Sequence, residues 1–196
     1  KYFAKYNKLK RTYEAGTRLI AEIKDEIMYL ESIINAIDIA TTENDLNNIK
    51  DELAVTGYIK RSGKSKSKGN THNKPMHYVS SDGFDIYVGK NNIQNDELTF
   101  KFATGGDWWF HAKQMPGSHV IVKTEGKELP DKTFEEAAAI AAYYSKGRDL
   151  EKVEVDYVLK KEVKKPAGAK PGFVVYYTNY SLIAIADISG IRLISG

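Results

Sequence analysis

The sequence contains no cysteine among its 196 residues. That excludes a disulfide framework, a thiolate zinc site and a cysteine nucleophile. Nor does any apolar run approach the roughly eighteen residues that a membrane-spanning helix needs, so neither a span nor a membrane partner is expected. Catalytic signatures are missing too: there is no G-x-S-x-G, no H-E-x-x-H, no P-loop and no dinucleotide fingerprint. The chain opens on Lys1 rather than Met, without the basic, apolar and small-residue order of a signal peptide. These features point to a piece of a longer protein, with the cytoplasm as its default compartment.

One further absence is local. Between Leu53 and Ser81 there is no acidic residue, while Lys60, Arg61, Lys64, Lys66, Lys68 and Lys74 all carry positive charge among Gly63, Ser65, Ser67 and Gly69. This composition reads as a solvated basic linker able to touch phosphates, with residues Lys64 to Asn70 lacking order when no partner is bound.

What precedes the linker is helical. Tyr2, Tyr6, Leu9, Tyr13, Gly16, Ile20, Ile23, Ile27, Leu30, Ile34 and Ile37 follow one another at alternating steps of four and three, and all but Gly16 are apolar or aromatic. A seam this long is a coiled-coil signal, and a helix from Tyr2 to Ile39 would extend about 55 Å. Thr42, with Asp45 three residues on, can cap a second helix that carries Leu46, Ile49 and Leu53 and stops near Gly57. That helix is too short, at about 22 Å, to cover the seam. An upstream helix in an antiparallel hairpin, or self-association as a coiled coil, would bury the rest.

After Pro75 the hydrophobic period changes to two. Candidate strands are Phe84–Val88, Leu98–Phe102, Asp107–His111, Ser118–Lys123, Val153–Leu159, Phe173–Thr178 and Leu182–Ala186. Thr133 and Glu136 form a capping-box pattern before an alanine-rich helix running from Phe134 through Tyr144 to Gly147. Strands broken by one helix predict an α+β fold with a mainly antiparallel sheet. The chain thus divides into a helical arm at 1–57, a linker at 58–76 and a globular domain at 77–196.

Three features of that domain could meet RNA. Lys90, Asn91, Asn92, Gln94 and Asn95 cluster carboxamides that either bond a nucleic acid or build a turn. Trp108 and Trp109 are neighbours on a strand, so one faces away from the core; it offers a stacking surface unless a helix or long loop covers it. Lys160, Lys161, Lys164, Lys165 and Lys170 gather five cations on a Pro/Gly loop with Glu162 as the only acid. His111, Ser118 and His119 lie next to the Trp pair. Asp107, His111 and His119 could in principle hold a metal, but Asp107 and His111 are about 13 Å apart along a strand, and neither a metal nor another cofactor is expected.

The strings Asp82-Gly83-Phe84-Asp85-Ile86-Tyr87-Val88-Gly89-Lys90-Asn91-Asn92, Asp107-Trp108-Trp109-Phe110-His111-Ala112-Lys113, Pro116-Gly117-Ser118-His119-Val120 and Val163-Lys164-Lys165-Pro166-Ala167-Gly168-Ala169-Lys170-Pro171-Gly172 resemble the NFACT-R domain. The arm and linker resemble the end of the coiled-coil region in the same bacterial RqcH/FbpA family, whose members are also called fibronectin/fibrinogen-binding proteins. The resemblance implies a non-catalytic RNA-binding module of a ribosome quality-control factor. Such a factor binds obstructed large ribosomal subunits and takes part in tRNA-dependent alanine tailing, with tRNA or rRNA as partner. The family's other name implies an alternative: a surface adhesin module for fibronectin or fibrinogen, reaching the cell surface without a recognisable signal.

Charge follows the same division. The net +3 conceals an arm (residues 1–56) with 8 basic and 10 acidic side chains, followed by two basic segments in the remainder.

Overall fold

The computed structural model describes residues 2–60 and 74–196. Arg61, Lys64, Lys66 and Lys68, with the expected disorder from Lys64 to Asn70, lie outside the described residues. Helix α1 runs over Tyr2–Ile39, free of proline and laced by exposed i,i+4 pairs such as Arg18–Glu22 at 2.8 Å. Helix α2 covers Glu43–Val55, and the Thr42/Asp45 capping box forms in both directions. Past its end, Gly57 adopts a φ of +86° and Tyr58 N–H donates to the Leu53 carbonyl at 2.9 Å, the Schellman closure that glycine permits.

Tyr29, Ile33 and Ala36 of α1 pack on Ile49 and Leu53 of α2. This is a different face from the heptad seam. All ten apolar or aromatic seam residues remain exposed, from Leu30 at 38% to Tyr2 at 91%, and Leu46 of α2 is also exposed. No helix among the described residues is long and apolar enough to cross a membrane.

The rest of the chain is α+β. Strands β1 (Met76–Val79), β2 (Asp85–Val88), β3 (Trp108–Ala112), β4 (Val120–Val122), β5 (Val153–Leu159), β6 (Tyr180–Ala184) and β7 (Arg192–Ser195) form one antiparallel sheet ordered β6-β5-β3-β4-β2-β1-β7. Helix α3 (Asn92–Glu97) follows β2, and α4 (Asp131–Tyr143) follows β4. The period of two sorts the central strands into two faces. Ile86, Val88, Phe110, Val120, Val122, Val153 and Val155 meet Ala137, Ala138, Ile140 and Ala141 of α4, whose small side chains allow close approach. Trp109, Ile121 and Val158 face the other way, toward Leu98, Ala103 and Val163. Each fully buried side chain of this kind contributes roughly 1.5–3 kcal/mol.

Several expected elements differ. Leu98–Phe102 is a π-helical turn rather than a strand, because it continues α3 and its Leu98 caps the second sheet face. Phe173–Thr178 forms no strand; the isolated bridge Lys164–Val175, the Tyr176 hydroxyl donating to Asp156 at 2.8 Å and the Tyr176 ring against Trp109 tie it down. The final predicted strand begins two residues earlier, at Tyr180, and β1 and β7 have no counterpart in the expectation. The Thr133/Glu136 capping box is also absent. Pro130 occupies the N-cap, while Thr133 Oγ1 donates to Asp82 at 2.8 Å and pairs with the Ser80 hydroxyl at 3.1 Å, and Glu136 accepts from Ser81 N–H at 2.8 Å. Those groups tie α4 to the β1–β2 turn instead.

Candidate nucleic-acid interface

The carboxamide segment is internal. Lys90, Asn91, Asn92, Gln94 and Asn95 are all buried. Asn91 caps α3 by accepting from Gln94 N–H at 2.9 Å, and the Gln94 side chain accepts from Lys90 N–H at 2.8 Å. Lys90 forms an ion pair with Asp45 of α2 at 3.4 Å, with 3% and 2% of the two side chains accessible. Burial pushes the Asp45 carboxyl up. The Thr42 hydroxyl, Lys90 and the Thr41 and Thr42 amides outweigh it and hold the carboxyl below its ordinary value. Asn92 Nδ2 donates to Ser32 at 2.8 Å and to Glu52 at 2.9 Å, and Tyr29 also donates to Glu52. This segment is therefore the lock between arm and globule, and its side chains are not presented to a nucleic acid.

The Trp pair is covered on both sides. Trp108 packs edge-on to Phe134 of α4 at 5.0 Å, and Trp109 is fully buried between His119 and Tyr176. A long loop covers the second face, so no exposed indole platform exists. Ser118 is buried with its N–H donating to the Tyr144 carbonyl. His119 accepts from Thr99 Oγ1 at Nδ1 (2.8 Å) and donates from Nε2 to the Gly172 carbonyl (3.2 Å), a pattern that fits the neutral imidazole. Burial holds its pKa well below the ordinary histidine value. Burial also lowers His111, to about 4, against opposing backbone contacts at Gly117 and Ala112 and the charge of Asp156. Asp107 is engaged by Lys123 and by the Thr104 and Thr124 amides. Among the described residues no group of three His, Asp or Glu could hold a metal ion.

The lysine loop divides in two. Lys165 reaches Asp96 at 2.9 Å and the Lys170 carbonyl at 2.6 Å. Lys170 is bound by Glu26 of α1 and by Tyr58, and lies 4.6 Å from the Tyr29 ring centroid. Both serve internal docking, and Gly172 beside them has a φ of +78°, with room for a Cβ denied by Asn92 Oδ1 at 2.5 Å. Lys160, Lys161 and Lys164 instead have no ion pair among the described residues, and Lys161 and Lys164 are exposed. Lys160 Nζ lies 5.8 Å from the Phe100 ring centroid, and the half-exposed Phe102 carries Lys123 at 5.0 Å. Cations beside accessible aromatic rings form a surface suited to backbone phosphates and stacked bases. Lys60 is also exposed.

Phe100, Lys101 and Phe102 were legible only as strand residues, although Phe-Lys-Phe before Ala-Thr-Gly-Gly is itself an aromatic and basic signal. Asp45, Glu52 and Glu26, the acids that capture the carboxamide and lysine segments, gave no local signal.

A cleft of about 680 Å³ separates α1 from the globule. Met28, Tyr29 and Asp25 line its arm side, and Trp109, His111 and Phe173 line the other. At its lip Gln114 holds a left-handed φ of 54°, a strained conformation for a residue with a Cβ.

Residues 74–178, more than half of the chain, match the NFACT protein RNA binding domain, and residues 1–72 match the NFACT N-terminal and middle domains. The chain belongs to the NFACT family. It is 46% identical over 177 residues to the Rqc2 homolog RqcH of Streptococcus suis, covering 90% of this chain and 31% of that protein. To the Bacillus subtilis Rqc2 homolog RqcH it is 39% identical over 188 residues, covering 95% of this chain and 32% of the relative. The chain therefore spans about one third of the length of these curated relatives. Among solved structures, the C-terminal part of the fibronectin/fibrinogen-binding protein from Streptococcus suis superposes with a TM-score of 0.85 at 44% identity, covering 95% of this chain and 74% of that one.

Proposed function

We propose that this chain is the RNA- and ribosome-binding part of a ribosome quality-control factor that engages obstructed large subunits, with tRNA or rRNA as its ligand. On this reading it takes part in tRNA-dependent alanine tailing as a binding module, without catalytic residues of its own. The observation that carries the reading is that the segment matching an RNA binding domain sets Lys160 beside Phe100 and leaves Lys161 and Lys164 exposed without an ion pair among the described residues. The similarity to Rqc2 homologs supports the quality-control setting. We take residues 77–196 as the binding unit, with the arm at 1–57 holding it in position and the basic linker at 58–76, including Arg61, Lys64, Lys66 and Lys68, adding phosphate contacts.

The test is binding to tRNA and to isolated large subunits over a salt series. Each neutralised phosphate should contribute a slope of roughly −0.7 to −0.9 in log K against log salt. A flat response, or none, would overturn the reading. Fibronectin binding, suggested by the structural neighbour's name, is the competing account; it predicts capture of soluble fibronectin whether or not Lys160, Lys161 and Lys164 are present.

A further inference from the structure

We infer that α1 masks a second phosphate-binding surface of the globule: the Glu26 and Glu31 carboxylates stand on Lys170 and Lys146, which take RNA phosphates once those pairs open. This rests on the RNA-binding reading and adds a control to it. The polarity of the contact carries the inference. Among the described residues three ion pairs join arm and globule, Asp45–Lys90, Glu31–Lys146 and Glu26–Lys170, and in each the arm supplies the acid and the globule the base. Carboxylate and phosphate oxygens accept the same charge-assisted hydrogen bonds, so a face that meets the arm with ammoniums alone also suits a phosphate backbone.

The three pairs differ in how firmly they hold. Asp45–Lys90 is buried and, with Asn92 on Glu52 and Ile39 in the sheet core, anchors the arm. Glu31–Lys146, at 2.6 Å, leaves 32% and 57% of its side chains accessible, and Glu26–Lys170 leaves 44% and 38%. Exposed pairs of this kind add little to stability and are screened by salt. Nor is α1 packed onto the globule beside Glu26, because the cleft opens there and leaves Met28 and Phe173 exposed on its two sides. The anchor holds the arm, and the two outer pairs only clasp it.

While the clasp is closed, Glu22, Asp25 and Glu26 line the cleft and repel phosphate. When it opens, the other neighbours of Lys170, the Tyr58 hydroxyl and the Tyr29 ring, are neutral and leave its charge unbalanced. Lys170 shares its loop with the exposed Lys161 and Lys164, and Lys146 N–H donates to the carbonyl of Pro116, a residue of the cleft wall. The two freed ammoniums therefore enlarge the basic surface that the loop already presents.

The deciding experiment measures the salt dependence of single-stranded oligouridylate binding to the parent chain and to three variants. Glu26→Gln/Glu31→Gln opens both outer pairs with side chains of nearly the same shape, at positions accessible enough to keep the fold. Glu14→Gln/Asp51→Asn removes the same charge from exposed arm positions that have no ion pair with the globule among the described residues. The third variant adds Lys146→Ala and Lys170→Ala to the first. The first variant should steepen log K against log salt by about 0.7 for each lysine that takes a phosphate, about 1.4 for both. The second should keep the parent slope, and the third should return to it. A first variant with the parent slope, a second as steep as the first, or a third as steep as the first would overturn the masked surface and leave the RNA reading standing. Failure of oligouridylate, tRNA and large subunits to bind parent and variants alike would remove both readings together.

Discussion

The segment Lys90–Asn95 and the segment Lys160–Lys170 look alike as sequence: polar, rich in hydrogen-bonding groups, set between strands, and each a plausible place for RNA. In the fold they have opposite surroundings. The first is buried under the arm, where Asp45, Glu52 and Ser32 satisfy Lys90 and Asn92. The second is divided, with Lys165 and Lys170 drawn inward by Asp96 and Glu26 and Lys160, Lys161 and Lys164 left at the surface. What separates them is the supply of acids on a neighbouring element rather than residue type. A buried cation with a matched carboxylate holds two elements together; one without such a partner stays in solvent, open to phosphate.

The contrast breaks most severely at the buried pair. Asp45→Ala removes both the ion-pair carboxylate of Lys90 and the contacts that cap α2, and should lower unfolding free energy by about 3–5 kcal/mol in urea titrations; Lys90→Ala, which leaves Asp45 its Thr41 and Thr42 contacts, should cost less. The double substitution Lys90→Met with Asp45→Leu should recover part of that loss, since no buried charge is left without its counter-charge, while the contacts of Asp45 that cap α2 stay lost. Asn92→Ala should cost less, about 1–3 kcal/mol, because Glu52 keeps its Tyr29 donor. Lys161→Ala, at an exposed position, should leave stability within about 0.5 kcal/mol of the parent.

A gentler probe uses the residue that joins the two segments. His119 accepts no proton easily in the folded state, its N–H donates to Asn95 Oδ1 at 3.0 Å, and its ring donates to Gly172. Folded-state pKa values below the ordinary 6.5, for His119 and for His111 at about 4, mean that the unfolded chain binds protons which the native chain refuses. Stability conferred by the neutral rings is therefore complete above pH 6.5 and falls as the pH drops from 6.5 toward 4. The limit is about 1.4 kcal/mol per pH unit for each histidine. Unfolding midpoints between pH 7 and pH 4.5 check the sign, and His111→Gln should remove part of the slope.

Much of the architecture could be read from local pattern. The Tyr2–Ile39 helix follows from an uninterrupted heptad period without proline, and α2 from a capping box closed by Gly57. The alternation in Trp108–Ala112 and Val153–Leu159 placed two central strands. Failures came where distant groups decided the outcome. Thr133 and Glu136 carry the capping pattern but find better partners at Asp82 and Ser81. Leu98–Phe102 has strand-like alternation but extends a helix. For the candidate site, the basic loop and its aromatic neighbours were visible as residue types. Which lysines reach solvent was not, because Glu26 lies 144 positions from Lys170 and Asp96 lies 69 from Lys165. Nor was it visible that the covered face of the sheet would seal Trp109.

The most direct test of the division within the lysine loop compares the salt dependence of RNA binding by the parent chain, by Lys160→Ala/Lys161→Ala/Lys164→Ala and by Lys165→Ala/Lys170→Ala. The triple variant should lose affinity and reduce the slope of log K against log salt by about one for each phosphate-contacting lysine removed, between two and three in all. The double variant should keep the parent slope while losing stability of the arm against the globule. Equal slopes for the parent and the triple variant, or a larger loss of slope in the double variant, would contradict the account.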